Sequence, residues 1–115
     1  MFNSSKKTVE IANVKRKSKI LDIGCGTGSL LFILSKDKTL ELHGFDLSEE
    51  MLKVAKEKLK NKANLKLISV RKFKENYKKN YFNYIFMSDA FHHLPYQEKV
   101  INDSKTLLKN GVNLS

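Results

Sequence analysis

The 115-residue chain has one cysteine, one proline, no tryptophan and only two arginines, Arg16 and Arg71. A single cysteine closes no internal disulfide, which excludes a secreted fold held by disulfide staples. No apolar run approaches the roughly 18–20 residues that cross a bilayer, so no membrane span is expected. Met1 to Lys7 places no apolar stretch behind its basic pair, so no signal peptide is expected either. Disorder is excluded by the opposite argument, because 41% of the residues are hydrophobic. What remains is a soluble, cytoplasmic chain in which residues 1–115 form a single domain and 1–17 are a leading helix or arm.

The shortage of arginine qualifies the charge. Twenty-two Lys and Arg against twelve Asp and Glu give a net charge of +10. Such a balance suggests nucleic acid, because cations that neutralise phosphates release counterions. Bidentate reading of phosphates and guanines uses the planar fork of Arg, however, and nearly all the cations here are Lys. They are also spread along the chain. A solvated lysine surface is the favoured reading, and a nucleic-acid partner the less favoured one.

Strand and helix patterns alternate, which predicts an α/β fold. A leading helix is expected over 6–14 and a first apolar strand over 19–23. A helix over 29–35 follows, apolar on several sides and therefore expected to be buried. The second strand is read at 40–46. Ser48 is placed to cap a helix with Glu49 and Glu50 in its first turn and an apolar face of Met51, Leu52, Val54, Ala55 and Leu59. A third strand is expected at 65–70, a loop with a helical turn at 71–80, and a nearly all-apolar fourth strand at 81–87. After Pro95 a helix should run over 96–109, and 112–115 begin a fifth strand.

One constellation carries chemistry. The first strand runs into Gly24-Cys25-Gly26-Thr27-Gly28 and then into a helix. Three glycines in five residues permit positive φ and let a ligand approach the backbone, beside the outward N–H groups of a helix start. Asp46, at the end of the second strand, lies 22 positions beyond Gly24 (46 − 24). A carboxylate there can accept both hydroxyls of a ribose. A nucleoside-containing ligand at the carboxyl ends of parallel strands is the reading. The glycine spacing is G-x-G-x-G, with Ser29 where the dinucleotide fingerprint has its third glycine, which disfavours a nicotinamide cofactor.

The string Ile20-Leu21-Asp22-Ile23-Gly24-Cys25-Gly26-Thr27-Gly28 resembles the first motif of class I S-adenosylmethionine-dependent methyltransferases. Gly44-Phe45-Asp46-Leu47-Ser48-Glu49-Glu50-Met51-Leu52 is similar to that family's second-strand motif. Ser88-Asp89-Ala90-Phe91-His92-His93-Leu94 is similar to the segment after strand four in quinone-biosynthesis-type members, a methyltransferase type 11-like domain. Leu107-Leu108-Lys109-Asn110-Gly111 is similar to the turn before strand five. The resemblance implies a Rossmann-like, doubly wound, mostly parallel sheet of order 3-2-1-4-5, lacking the last two strands of the usual seven, and so a C-terminally truncated domain.

It also implies roles. Gly24, Cys25, Gly26, Thr27 and Gly28 would cradle the methionine part of S-adenosylmethionine. Asp22 would fix the loop, Asp46 would bind the ribose, Leu47 and Met51 would line the adenine, and backbone near Ser88 would floor the site. Leu47 and Met51 read equally well as plain core. Cys25 has no evident base, which argues against a nucleophile. His92 and His93 read as wall rather than as general base, and adjacent His residues without a second cluster do not suit a metal. No catalytic residue and no metal ligand is assigned.

The implied function is methyl transfer to an unidentified acceptor, a small molecule being favoured. The alternatives are a truncated, inactive remnant that binds cofactor or a partner, and an RNA-directed homologue; separately, strand five as an exposed edge would allow an oligomer. Two residues depart from the family pattern. Arg71 falls where the family usually has an acid that accepts the adenine amino group, and a guanidinium only donates. Phe82-Asn83 stands where Phe-Asp is usual, removing one charge.

Overall fold

The computed structural model describes residues 13–87 and 96–109. Four strands, β1 (Lys19–Ile23), β2 (Glu41–Asp46), β3 (Asn64–Leu67) and β4 (Tyr84–Met87), form one parallel sheet in the order β3-β2-β1-β4. Three helices, α1 (Ser29–Leu34), α2 (Glu49–Leu59) and α3 (Gln97–Leu107), and a 3-10 turn at Phe73–Asn76 complete the described elements.

Alternation along the strands sends side chains to two cores. Ile20, Leu42 and Phe86 pack with Leu31 and Leu34 of α1 and with Leu52, Ala55 and Leu59 of α2. Leu21, Ile23, Phe45 and Ile85 pack on the other face with Phe73, Val100 and Leu107. Because β1 is central, Ile20, Leu21 and Ile23 are all buried, and the strand reads as a continuous apolar run. The chain winds from β1 through β2 to β3 and then returns across β1 to place β4 on the far side. That reversal makes the carboxyl ends of β1 and β4 the switch point at which open α/β sheets place ligands.

Several expected boundaries move, each because a neighbour is or is not available. The third strand, expected over 65–70, stops at Leu67. Ile68 N–H still reaches the Asp46 carbonyl at 3.1 Å, but β2 ends there, and Lys72 N–H folds back on the Ser69 carbonyl at 2.9 Å. The fourth strand, expected from 81, starts at Tyr84. Tyr81 and Phe82 give their N–H groups to the Leu107 carbonyl at the end of α3 instead. Asn83 clamps the junction: its side-chain carbonyl accepts from Lys19 N–H at 2.8 Å and its own N–H donates to the Lys19 carbonyl at 2.8 Å. The amide therefore supplies the acceptor that a carboxylate at this position would offer.

Helix burial is also narrower than expected. Phe32 and Ile33 of α1 face solvent, and in α2 the buried stripe is Leu52, Ala55 and Leu59, leaving Met51 and Val54 exposed. Positions 52, 55 and 59 share one helix face, whereas 51 and 54 stand on its flank. The last helix ends at Leu107, where Leu108 turns extended and bridges Phe82. The leading helix over 6–14 and the fifth strand over 112–115 fall, apart from residues 13 and 14, outside the described residues. Among the described residues no helix is long and apolar enough to cross a membrane.

Candidate functional site

The glycine loop leaves β1 at the switch point. Gly24, Gly26 and Gly28 have φ of +69°, +57° and +82°, a conformation that side-chain-bearing residues rarely adopt. Their surroundings differ. A Cβ on Gly24 or Gly26 would meet nothing within 4 Å, so these two border open space. A Cβ on Gly28 would lie 2.9 Å from Leu59 Cδ1 and 3.1 Å from Ala55 Cβ. Gly24 and Gly26 thus leave room above the loop, and Gly28 lets the loop rest on α2.

The loop is stitched to β2 at two points. Cys25 N–H donates to the Phe45 carbonyl at 2.9 Å. Asp46 then joins three pieces: Oδ2 accepts from Gly26 N–H at 2.8 Å, and Oδ1 accepts from Ser48 N–H at 2.9 Å. Ser48 in turn caps α2 by accepting from Met51 N–H at 3.2 Å. A carboxylate has about four acceptor positions, so two backbone donors leave capacity on each oxygen.

Beneath the loop, Cys25 fits between β2 and α1 only because residue 44 is glycine. A Cβ on Gly44 would lie 2.8 Å from Leu31 Cδ1 and 3.1 Å from Cys25 Cβ. Burial, followed by the nearby Asp22 and Asp46 carboxylates, pushes the Cys25 thiol up to about 12. It stays protonated at neutral pH, which removes it as a nucleophile. Asp22 is wholly buried at the end of β1. With Asp46, Glu49 and Glu50 it gathers acidic residues at this end of a chain that is strongly basic elsewhere. Thr27 Oγ1 lies 3.5 Å from Ser29 Oγ at the loop exit.

Around the opening stand exposed apolar side chains. Leu47 is 72% exposed and Met51 45%, so the reading of both as plain core is wrong: they follow Asp46 and face outward. Leu67, at the end of β3 and paired with Asp46 in register, is a third, missed by sequence reasoning because it was placed inside a longer strand. Arg71 lies with its guanidinium 5.2 Å from the centre of the Tyr96 ring. Ser88, His92 and His93 lie outside the described residues. Among the described residues no group of three His, Cys, Asp or Glu side chains is placed to hold a metal ion.

Comparison with known proteins agrees with this geometry. The family model described as a methyltransferase domain matches residues 21–114. The demethylmenaquinone methyltransferase of Staphylococcus carnosus is 32% identical over 108 residues, covering 92% of this chain and 45% of that protein. The chain therefore spans about half the length of such curated relatives. A SAM-dependent methyltransferase from Aquifex aeolicus superposes with a TM-score of 0.79 at 26% identity, over 92% of this chain and 58% of that one. A phosphoethanolamine N-methyltransferase of Haemonchus contortus, solved with S-adenosyl-L-methionine, shares the fold at a TM-score of 0.77 and 24% identity, over 93% of this chain and 26% of that one. With the glycine loop, the acid closing β2 and the reversed strand order all in place, the chain belongs to the methyltransferase-domain family of Rossmann-like, class I S-adenosylmethionine-dependent methyltransferases.

Proposed function

We propose that this chain binds S-adenosylmethionine at the glycine loop and carries the cofactor-binding part of an enzyme that methylates a small-molecule acceptor. The observation that carries the reading is Asp46: it ties Gly26 to Ser48 and keeps acceptor capacity on both oxygens, beside the open space over Gly24 and Gly26. Residues of this kind fit the group. Asp46 would accept the two ribose hydroxyls, and the Gly24–Gly28 backbone would hold the methionine part. Leu47 and Met51 supply apolar surface next to Asp46 for an adenine ring, and Asp22 supports the loop from below. The acids clustered here suit the positive charge of a sulfonium.

When bound, the cofactor supplies an electrophilic methyl group. The chain's own contribution is placement, since transfer of this kind depends on alignment and on holding the reactants together. The small-molecule acceptor is supported by the Staphylococcus carnosus relative, whose name records a demethylated menaquinone as its substrate.

Calorimetric titration with S-adenosylmethionine and S-adenosylhomocysteine, against NAD as control, tests the cofactor. Binding of the first two and not of NAD is expected. Asp46→Ala should weaken binding by about tenfold or more, in line with the loss of charge-assisted hydrogen bonds. A thermal melt of the same variant separates loss of the site from loss of the fold. Unchanged affinity in a folded Asp46→Ala protein would remove the ribose assignment. Transfer of labelled methyl to a quinone-like acceptor, and not to RNA, is the expected outcome for the acceptor class.

A further inference from the structure

The far edge of the sheet carries a feature that methyl transfer does not use. Strand β3 pairs only with β2, and its other edge is open among the described residues. The Ile68 N–H points to the Asp46 carbonyl. By the alternation of a parallel ladder, Asn64 and Lys66 also face β2, so the N–H and C=O groups of Leu65 and Leu67 face outward. Beside this edge run two cavities of about 860 and 790 Å3, and Lys56 of α2 lines both. Lys60 and Lys62 line the first and Lys53 the second. None of these four lysines makes a salt bridge among the described residues. The acids along the way are few: Glu41 is engaged by Tyr81 and His43, Glu57 is the one exposed carboxylate on α2 among these lysines, and Glu49 and Glu50 stand at the Leu67 end.

We propose that the open edge of β3 is a docking strand for an extended, acidic segment of a partner protein, which adds to the sheet through Leu65 and Leu67 and lays its carboxylates along Lys53, Lys56, Lys60 and Lys62. Strand addition uses main-chain hydrogen bonds for affinity and side chains for selectivity. Charge chooses the occupant. A second copy of this chain would bring another +10 to an edge already lined with lysine, whereas an acidic segment is drawn to it. Leu67 adds an exposed apolar contact at one end of the strand. The inference stands on the sheet edge and is independent of the cofactor assignment.

The test uses a synthetic peptide of about ten residues alternating Val and Glu, long enough to cover a strand, and its Val-Lys counterpart. Amide hydrogen exchange of the protein is followed by NMR. Expected are slowed exchange at the Leu65 and Leu67 amides with the Glu peptide, and affinity for the Lys peptide lower by about tenfold or more. Two variants separate backbone from charge. Leu67→Pro removes one outward N–H while leaving the Ile68–Asp46 bond, and should weaken the Glu peptide. Lys53→Glu combined with Lys56→Glu and Lys60→Glu should abolish the preference between peptides, and a folded circular-dichroism spectrum confirms that both variants are read on intact protein. The proposal is overturned by equal binding of the two peptides, by binding without protection at Leu65 and Leu67, or by protection that appears on raising the protein concentration alone.

Discussion

Glycine does two different jobs within the loop, and the two can be separated by the same substitution. Gly28→Ala combines a left-handed backbone with a Cβ 2.9 Å from Leu59 Cδ1. The backbone term costs about 1–2 kcal/mol and overpacking about 1–3 kcal/mol more. Gly24→Ala bears only the backbone term, because nothing lies within 4 Å of its Cβ. Denaturant midpoints should therefore fall further for Gly28→Ala than for Gly24→Ala. Cofactor affinity should suffer in Gly24→Ala beyond what its stability loss explains, since the new methyl enters the open space. Equal midpoints for the two variants would show that α2 yields to the Cβ at position 28. The glycine triplet was readable from the chain, but which glycine faces open space and which faces a helix was not. That distinction depends on α2, whose Ala55 and Leu59 are 27 and 31 positions away along the sequence (55 − 28 and 59 − 28).

At the scale of an element, α2 is the support on which the site rests. Its cap, Ser48, accepts from Met51 N–H, and Asp46 holds Ser48 N–H. Ser48→Ala should cost about 1 kcal/mol of stability, the usual loss on removing an N-cap, whereas Ser48→Asp should retain most of it. Thermal or denaturant unfolding checks the order. If Ala and Asp behave alike, the Asp46 bond to the backbone of Ser48 alone holds the helix start. The cap and the acidic first turn were evident from Ser48-Glu49-Glu50, because capping chemistry is local. The lengths of β3 and β4 were not. Strand β3 stops where β2 stops, and β4 starts late because α3 claims the N–H groups of Tyr81 and Phe82. A strand is only as long as its neighbour, and the neighbour is chosen by the fold.

For the molecule as a whole, buried titratable groups set a limit at high pH. Cys25 is raised from 9.0 to about 12, mainly by burial and then by Asp22 and Asp46. Tyr77 is raised above 10.0, mainly by burial, and its hydroxyl has no hydrogen-bond partner among the described residues. The folded chain holds both protons more tightly than the unfolded one does. The Cys25 contribution is therefore fully present below the ordinary thiol value of 9.0 and is lost as pH rises toward about 12, while that of Tyr77 is fully present below 10.0 and is lost only above it. The melting temperature should fall as pH climbs from 9 toward 11, and Cys25→Ala should flatten part of that fall. A profile identical in Cys25→Ala would assign the loss to Tyr77.

What the sequence determined by itself was short-range: an apolar run into a glycine triplet, an acid closing the next strand, and a cap opening the next helix. These succeed because each is written in a few adjacent residues, and those residue strings resemble one family. Tertiary structure decided how those pieces meet. It placed Asp46 between Gly26 and Ser48, turned Leu47, Met51 and Leu67 outward around the loop, and, among the described residues, left β3 as an open edge beside four lysines without salt bridges. Even the excess of lysine changed meaning, since four lysines meet beside the β3 edge: Lys53 and Lys56 from α2, and Lys60 and Lys62 from the turn after it. The physical reason is that burial and pairing belong to the neighbours a residue acquires on folding, and those neighbours are distant in sequence.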